Sequence, residues 1–228
     1  MTQGQLSPIR QRARSQVHKL ERRQALLDAA WQLFAASTYE AVTMAAVAKS
    51  AALAKGTVYL YFPSKEELFL AVCQQQLELW LIELNAALAV VPSRVAASEV
   101  AALISTSLTQ RLALTRLLAI LATVLEQNVS LETALAFKRF LGERLAYTGA
   151  LLEQRLHFLA AGQGVPTLLR VQALIVGLWH LADPAPVAKK ALRQLQAKPF
   201  QIQFEAELTI SIRALLRGLE LETSGVRA

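Results

Sequence analysis

The chain has 228 residues, with 24 Lys+Arg against 17 Asp+Glu, one cysteine and three histidines. That length suits one large domain or two small ones, and a hydrophobic content of 54% excludes a disordered chain. One cysteine excludes an intrachain disulfide framework and a zinc site built on several thiolates. No apolar run reaches the roughly 17–25 residues that span a bilayer. The nearest, 112–125 and 168–182, are interrupted by Arg116, Arg170 and His180, so no membrane partner is expected. The opening TQGQLSPIRQRARSQVHKL has no apolar core of a secretory signal, and a cytoplasmic setting is expected.

The net charge is +7, and its placement is informative. Residues 1–65 hold nine Lys/Arg and three acids, whereas the other 163 residues hold 15 and 14. A basic end on a near-neutral body points to a polyanion partner at that end.

Residues 1–19 are polar, without periodicity, and read as a flexible basic arm. From Leu20 a helical pattern starts, with Leu27, Trp31 and Phe34 on one face; it ends near Ser37. Thr43 is placed to cap a short helix carrying Met44, Val47 and Ala48. A second short piece runs from about Ala54 to Tyr61 and stops before Pro63, because the residue preceding proline is pushed out of the α region. Ser64 caps a long helix whose first turn carries Glu66 and Glu67, where negative charge suits the dipole. Pro92 ends it. Further helices are expected at about 94–109, 111–127, 131–160, 166–182, 187–196 and 201–221.

In the last of these, Ile202, Phe204, Ala206, Leu208, Ile210 and Ile212 alternate with other residues as in a strand. The apolar run continues through Leu215, Leu216 and Leu219 and offers no hairpin partner. It is therefore read as a helix with a main stripe (Phe204, Leu208, Ile212, Leu215, Leu216, Leu219) and a second patch (Ile202, Ala206, Ile210). Segment 171–181, which includes Leu174 and Leu178, is apolar nearly all round. A subunit interface is the simplest cover for both helices. Leu174, Leu178, Leu208, Ile212 and Leu215 are the candidate interface residues of a homodimer.

Two short helices joined by a tight turn, following a longer helix and carrying basic residues, describe a helix-turn-helix. The run VTMAAVAKSAALAKGTVYLYFPSKEELF, residues 42–69, resembles the DNA-binding signature of the TetR family of transcriptional regulators. The resemblance is specific over about 20–80. It implies an all-α chain with a DNA-binding domain at 20–80 and a helical effector-binding and dimerising body at 81–228. Two positions depart from the family pattern: Ala52 stands where the turn usually has glycine, and Ala54 where a serine usually caps the second helix. Leu60 stands where an aromatic or histidine is common. It is placed either to touch a thymine methyl or to remove one phosphate contact.

The candidate DNA-binding residues are Thr43, Lys55, Gly56, Thr57, Tyr59, Tyr61 and Lys65. Gly56 lets backbone approach a phosphate; Lys55 can reach a phosphate or a guanine edge. Thr57, Tyr59 and Tyr61 offer hydroxyl donors. Thr43 and Lys65 stand at helix starts, where free N–H groups favour an anion. Trp80, Phe137, Phe140, Tyr147, Phe158 and Trp179 are weak candidates for an effector cavity, each taken singly reading first as plain core. Cys73, between Phe69 and Leu77 on an apolar stripe, is a core thiol or a reactive sensor. Glu153 and His157 lack an evident third metal ligand, and Gly162-x-Gly164 reads as a turn. No catalytic elbow, cofactor or metal site is expected.

The chain is thus expected to be a repressor that binds duplex DNA at a near-palindromic operator as a dimer, nucleoid-associated when bound, and released by a small, largely apolar effector. The alternatives are a constitutive binder or activator, a helical enzyme or transport protein using the cavity, and a protein-binding scaffold.

Overall fold

The structure is a computed structural model that describes residues 8–195 and 200–225. Among these described residues the regular elements are ten α-helices and one π-helical turn, with no strand. The chain divides into two units, one ending at Val72 and one beginning at Cys73. That division falls inside a helix, eight residues before the expected boundary at 80/81.

In the first unit α1 spans Pro8–Ala36. It therefore begins well before Leu20, and the expected arm is helical from Pro8; residues 1–7 of that arm lie outside the described residues. Proline presets φ at a helix start, and the Arg, Gln, Ala and Lys that follow are strong helix formers. This stretch has no apolar stripe, so periodicity could not detect it, and Leu20 is 67% exposed rather than in the core. Leu26, Leu27, Ala30 and Phe34 form the buried face. α2 (Met44–Ser50) buries Met44, Val47 and Ala48, and α3 (Lys55–Tyr61) buries Val58. The first turns of α4 (Lys65–Val90) close the unit with Leu68, Phe69 and Val72. Phe69 meets the Phe34 and Tyr39 rings edge-on at 5.7 and 5.1 Å.

The second unit contains the rest of α4, then α5 (Ala97–Thr109), α6 (Leu112–Ile120), the π turn Leu121–Leu125, α7 (Leu131–Arg155), α8 (Gly164–Ala182), α9 (Pro186–Gln194) and α10 (Phe204–Gly225). α10 packs on α5 and α8, and α8 packs on α6 and α7. The alternating segment is helical, as its length required. Phe204, Leu208, Ile212 and Leu216 are buried.

That burial corrects the interface assignment of Leu208 and Ile212: both belong to the core of their own chain. The period of a helix cannot tell an intramolecular stripe from an intermolecular one. Leu174, Leu178 and Leu215 are half-buried. The second patch holds the outward positions, Ala206 and Ile210. On α8 the outward face carries Leu169, Ala173 and Gly177, with Leu181 one turn on. By length and composition α8 could cross a membrane, against the expectation that no segment could. Arg170 and His180 interrupt its run without outweighing it, and an all-round apolar helix also suits the core of a bundle.

α7 and α8 cross with backbone on backbone. A Cβ on Gly164 would lie 2.2 Å from the Gly149 carbonyl oxygen, and one on Gly149 would lie 2.9 Å from the Val165 nitrogen. Gly162, with φ +86, makes the turn before α8. The Gly164 N–H then donates to Glu153 Oε1 at 2.7 Å.

Candidate nucleic-acid interface

Thr43 caps α2 as expected: its Oγ1 accepts the Ala46 N–H at 3.1 Å. α2 ends in a Schellman motif, the Ala52 N–H donating to the Lys49 carbonyl at 3.2 Å and the Leu53 N–H to the Ala48 carbonyl at 2.9 Å. That motif needs a left-handed residue, and Ala52 supplies it at φ +55. A Cβ in that region costs about 1–2 kcal/mol. Ala54 takes the N-cap position of α3 with no side-chain hydrogen bond, which forfeits about 1 kcal/mol. Both departures in the sequence are thus physical deficits of the turn.

The turn sets Val58 inward and leaves Lys55, Gly56, Tyr59 and Leu60 exposed on the outer face of α3, with Thr57 and Tyr61 half-buried at its flanks. Lys49, in the last turn of α2, is exposed as well. Neither short helix carries an acid in its first turn, so the positive ends of both dipoles are uncompensated. Nothing lies within 4 Å of where a Cβ on Gly56 would be. A helical glycine costs about 1 kcal/mol relative to alanine, and no neighbour in the fold requires it here. Bare backbone on an exposed face suits close approach of an external group.

Lys65 is the exception among the expected DNA-binding residues. Its ammonium donates to the Tyr39 carbonyl and lies 4.0 Å from the Tyr39 ring centroid and 6.0 Å from that of Phe69. Burial pushes its pKa down, against the raising effect of Glu40 and Glu66. It is a structural cation of the head, turned inward rather than toward an external anion. Its seat, Tyr39, donates its own hydroxyl to Glu66 Oε1 at 3.3 Å, and burial first, then Glu66, pushes that phenol up. Partners 26 residues apart leave no trace in a local pattern, so sequence reasoning missed Tyr39. Ser64, at the start of the same helix, caps it through the Glu67 N–H at 3.1 Å.

In the second unit the six aromatic candidates do not converge. Trp80 borders a cavity of about 70 Å³, lined also by Leu77, Leu118, Leu145, Val171 and Gln172. The Trp80 indole donates to Ser107 Oγ at 2.9 Å. Phe137 and Phe158 are buried core, and Phe140 packs beside Phe137 at 6.3 Å. Tyr147 is exposed on an open groove with Asn85 and Arg144. Trp179 stands edge-on to Phe204 at 5.2 Å, beside another open groove. Aliphatic side chains, interchangeable in composition, build the enclosed space. Cys73 is a core thiol: burial, aided by Glu126, pushes its pKa up to about 12, which removes the thiolate a sensor needs.

Residues 26–72 match the profile of bacterial regulatory proteins of the tetR family, and residues 74–223 match that of the tetracyclin repressor-like C-terminal domain. The chain belongs to the TetR family. The transcriptional regulator RutR of Escherichia coli K12 is 35% identical over 86 residues, which cover 38% of this chain and 39% of RutR. The repressor KstR of Rhodococcus jostii is 47% identical over 58 residues, 25% of this chain and 27% of KstR. The chain therefore spans about four-tenths or less of the length of these relatives. They are transcriptional regulators, not enzymes.

Among solved TetR-like folds, the fatty acid degradation regulator FadR of Bacillus halodurans matches with a TM-score of 0.54 at 19% identity, covering 85% of this chain and 93% of that one. FadR of Bacillus subtilis, solved with stearoyl-CoA, matches with 0.51 at 20% identity, covering 85% and 96%. These likenesses carry the fold.

Proposed function

We propose that this chain is a cytoplasmic transcriptional repressor that binds a near-palindromic operator as a homodimer, through α2 and α3 of each copy. The observation that carries the reading is the outer face of α3, with Lys55 and Tyr59 flanking the bare backbone of Gly56. Thr43, Thr57 and Tyr61 add hydroxyls at its margins. One reading helix buries too little surface for specific affinity, which favours two copies. The outward faces of α8 and α10 suit that pairing, since Ala173 and Gly177 on one and Ala214 and Gly218 on the other repeat small residues one turn apart. Leu174, Leu178 and Leu215 border those faces.

Selection of bound duplexes from a random pool tests the reading. The expected product is a two-fold symmetric motif with half-sites about 34–36 Å apart or a multiple of that. An asymmetric motif, or a specifically bound monomer, would overturn it.

Release by a small apolar molecule is the second part of the proposal. The cavity beside Trp80 and the stearoyl-CoA held by a regulator of the same fold support an effector with an apolar chain. α4 runs unbroken through 26 residues from the first unit into the second, about 39 Å of helix able to transmit a tilt. A ligand found by thermal shift should lower operator affinity roughly 5–150-fold, and operator should lower ligand affinity by the same factor. The cavity's own volume favours a rival. At about 70 Å³ it is well below the roughly 300–1,000 Å³ of ordinary ligand pockets, as a constitutive binder would have it. Equal ligand affinity with and without operator would select that rival.

A further inference from the structure

Leu60 is 83% exposed in the last turn of α3. Single exposed leucines are ordinary on protein surfaces; the company of this one is not. Gly56 lies one turn earlier on the same face, and no neighbour in the fold requires a glycine there. Two adjacent positions on one stripe thus ignore what a solvated helix prefers, and such local breaches concentrate at functional sites. The bare backbone at Gly56 allows α3 to sit deep, and the next side chain along that stripe is Leu60. Lys55 and Tyr59, beside them, carry the hydrogen-bonding groups.

A leucine side chain has no donor or acceptor. Within the major groove it can distinguish only an apolar feature of a base edge, and the apolar group presented there is the C5-methyl of thymine. Resting on the DNA-binding reading above, we infer that Leu60 reads the C5-methyl of one thymine in each half-site and so fixes a T at that position. A phosphate contact is excluded for this side chain, because it offers nothing to a charged oxygen. Leu60 is then a specificity-determining residue that adds no charge to the interface, and its contribution is insensitive to salt while that of Lys55 is not.

The test uses the full-length protein and the motif recovered from the random pool. Each thymine is replaced in turn by deoxyuridine, which removes the methyl group alone. At one position per half-site the wild-type affinity should fall about fourfold, the worth of one methyl-sized apolar group, and about 15-fold when both half-sites are changed. Leu60→Ala should bind the unmodified operator more weakly by a similar factor and show no further loss on that replacement. Its melting temperature should match the wild type, since the side chain is exposed. Leu60→Met, which keeps an apolar chain, should retain part of the sensitivity.

Tolerance of deoxyuridine at every thymine overturns the assignment, as does an equal loss for wild type and Leu60→Ala. In both cases a recovered motif leaves the DNA-binding reading intact. A protein that enriches no motif overturns that reading and this assignment together.

Discussion

The head and the body of this chain use their residues differently. The head sets two short elements against the long α1: α2 and α3 have seven residues each. Its turn keeps a left-handed alanine, and its second short helix has no cap. The body includes the long helices α7, of 25 residues, and α10, of 22, and its crossing glycines are sterically required. In the head, residues are placed outward at a cost to local stability. In the body they are placed to fit one another. A surface that must meet an external partner constrains residue identity, and a helical core constrains mainly volume and polarity.

The sharpest way to break the body is Leu208→Glu or Ile212→Glu. Each buries an unpaired carboxylate in the α5–α10 core, and each should cost about 4 kcal/mol or more, seen as loss of cooperative unfolding. Ile210→Glu, on the outward face of the same helix, should keep the fold and yield monomers in sedimentation. Equal behaviour of the three variants would erase the distinction between core stripe and interface stripe.

Gly164→Ala should come next, since its Cβ meets backbone that has no side chain to move aside. Overpacking of this kind costs about 1–3 kcal/mol, read as a lower denaturant midpoint. An unchanged midpoint would mean that the α7–α8 crossing is looser than it stands.

The two lysines separate surface from core within the head. Lys55→Ala should leave stability nearly unchanged and lower the log–log salt slope of operator binding by about 0.9 for each phosphate left unneutralised, so about 2 for a dimer. Should Lys55 meet a base instead, sequence preference should relax at one position per half-site. Lys65→Ala should do the reverse, costing the head about 1 kcal/mol of cation–π and packing energy with the salt slope intact.

Gly56→Ala should raise helix stability by about 0.5–1 kcal/mol while weakening operator binding, so one methyl group acts in opposite directions on the two. The smallest effects belong to the turn itself. Ala54→Ser and Ala52→Gly should each stabilise the head by about 1 kcal/mol, measured by hydrogen exchange in α2 and α3. Neutral outcomes for both would mean that the turn carries no deficit.

Much of this is legible in the sequence because caps and prolines act locally. Thr43, Ser64 and Pro63 place α2, α3 and the start of α4 to within a residue or so. The unusual alanines at 52 and 54 stand out as departures without knowledge of their dihedrals. The first turns of α1 escape a periodicity search because their stability comes from propensity, not from an apolar face. Lys65 is misread from sequence because its partner Tyr39 is distant along the chain. Leu208 and Ile212 are misassigned to an interface because amphipathicity reports that a face is buried and is silent on which surface covers it. The aromatic cavity fails for a related reason: Leu, Val and Ile wall the enclosed space, and nothing in a sequence marks one leucine as facing a void.

The glycine crossing has a mechanical consequence. Where Gly149 meets Gly164 there is no side chain to compress, so α7 and α8 cannot part or close at that point without breaking backbone contact. The crossing is a pivot. The cavity is bounded by Leu141 and Leu145 on α7 and by residues from Leu168 to Ile175 on α8, and it opens on one side of that pivot. Ile175 lies 11 residues along α8 from Gly164, about 16 Å. A guest that wedges the two helices apart by a few degrees therefore moves the far end of α8 most. Ala173 and Gly177, on the outward face of that same segment, are carried with it. The cavity and the outward small-residue face of α8 are two stations on one lever arm, and filling the first would displace the second in proportion to its distance from the glycines.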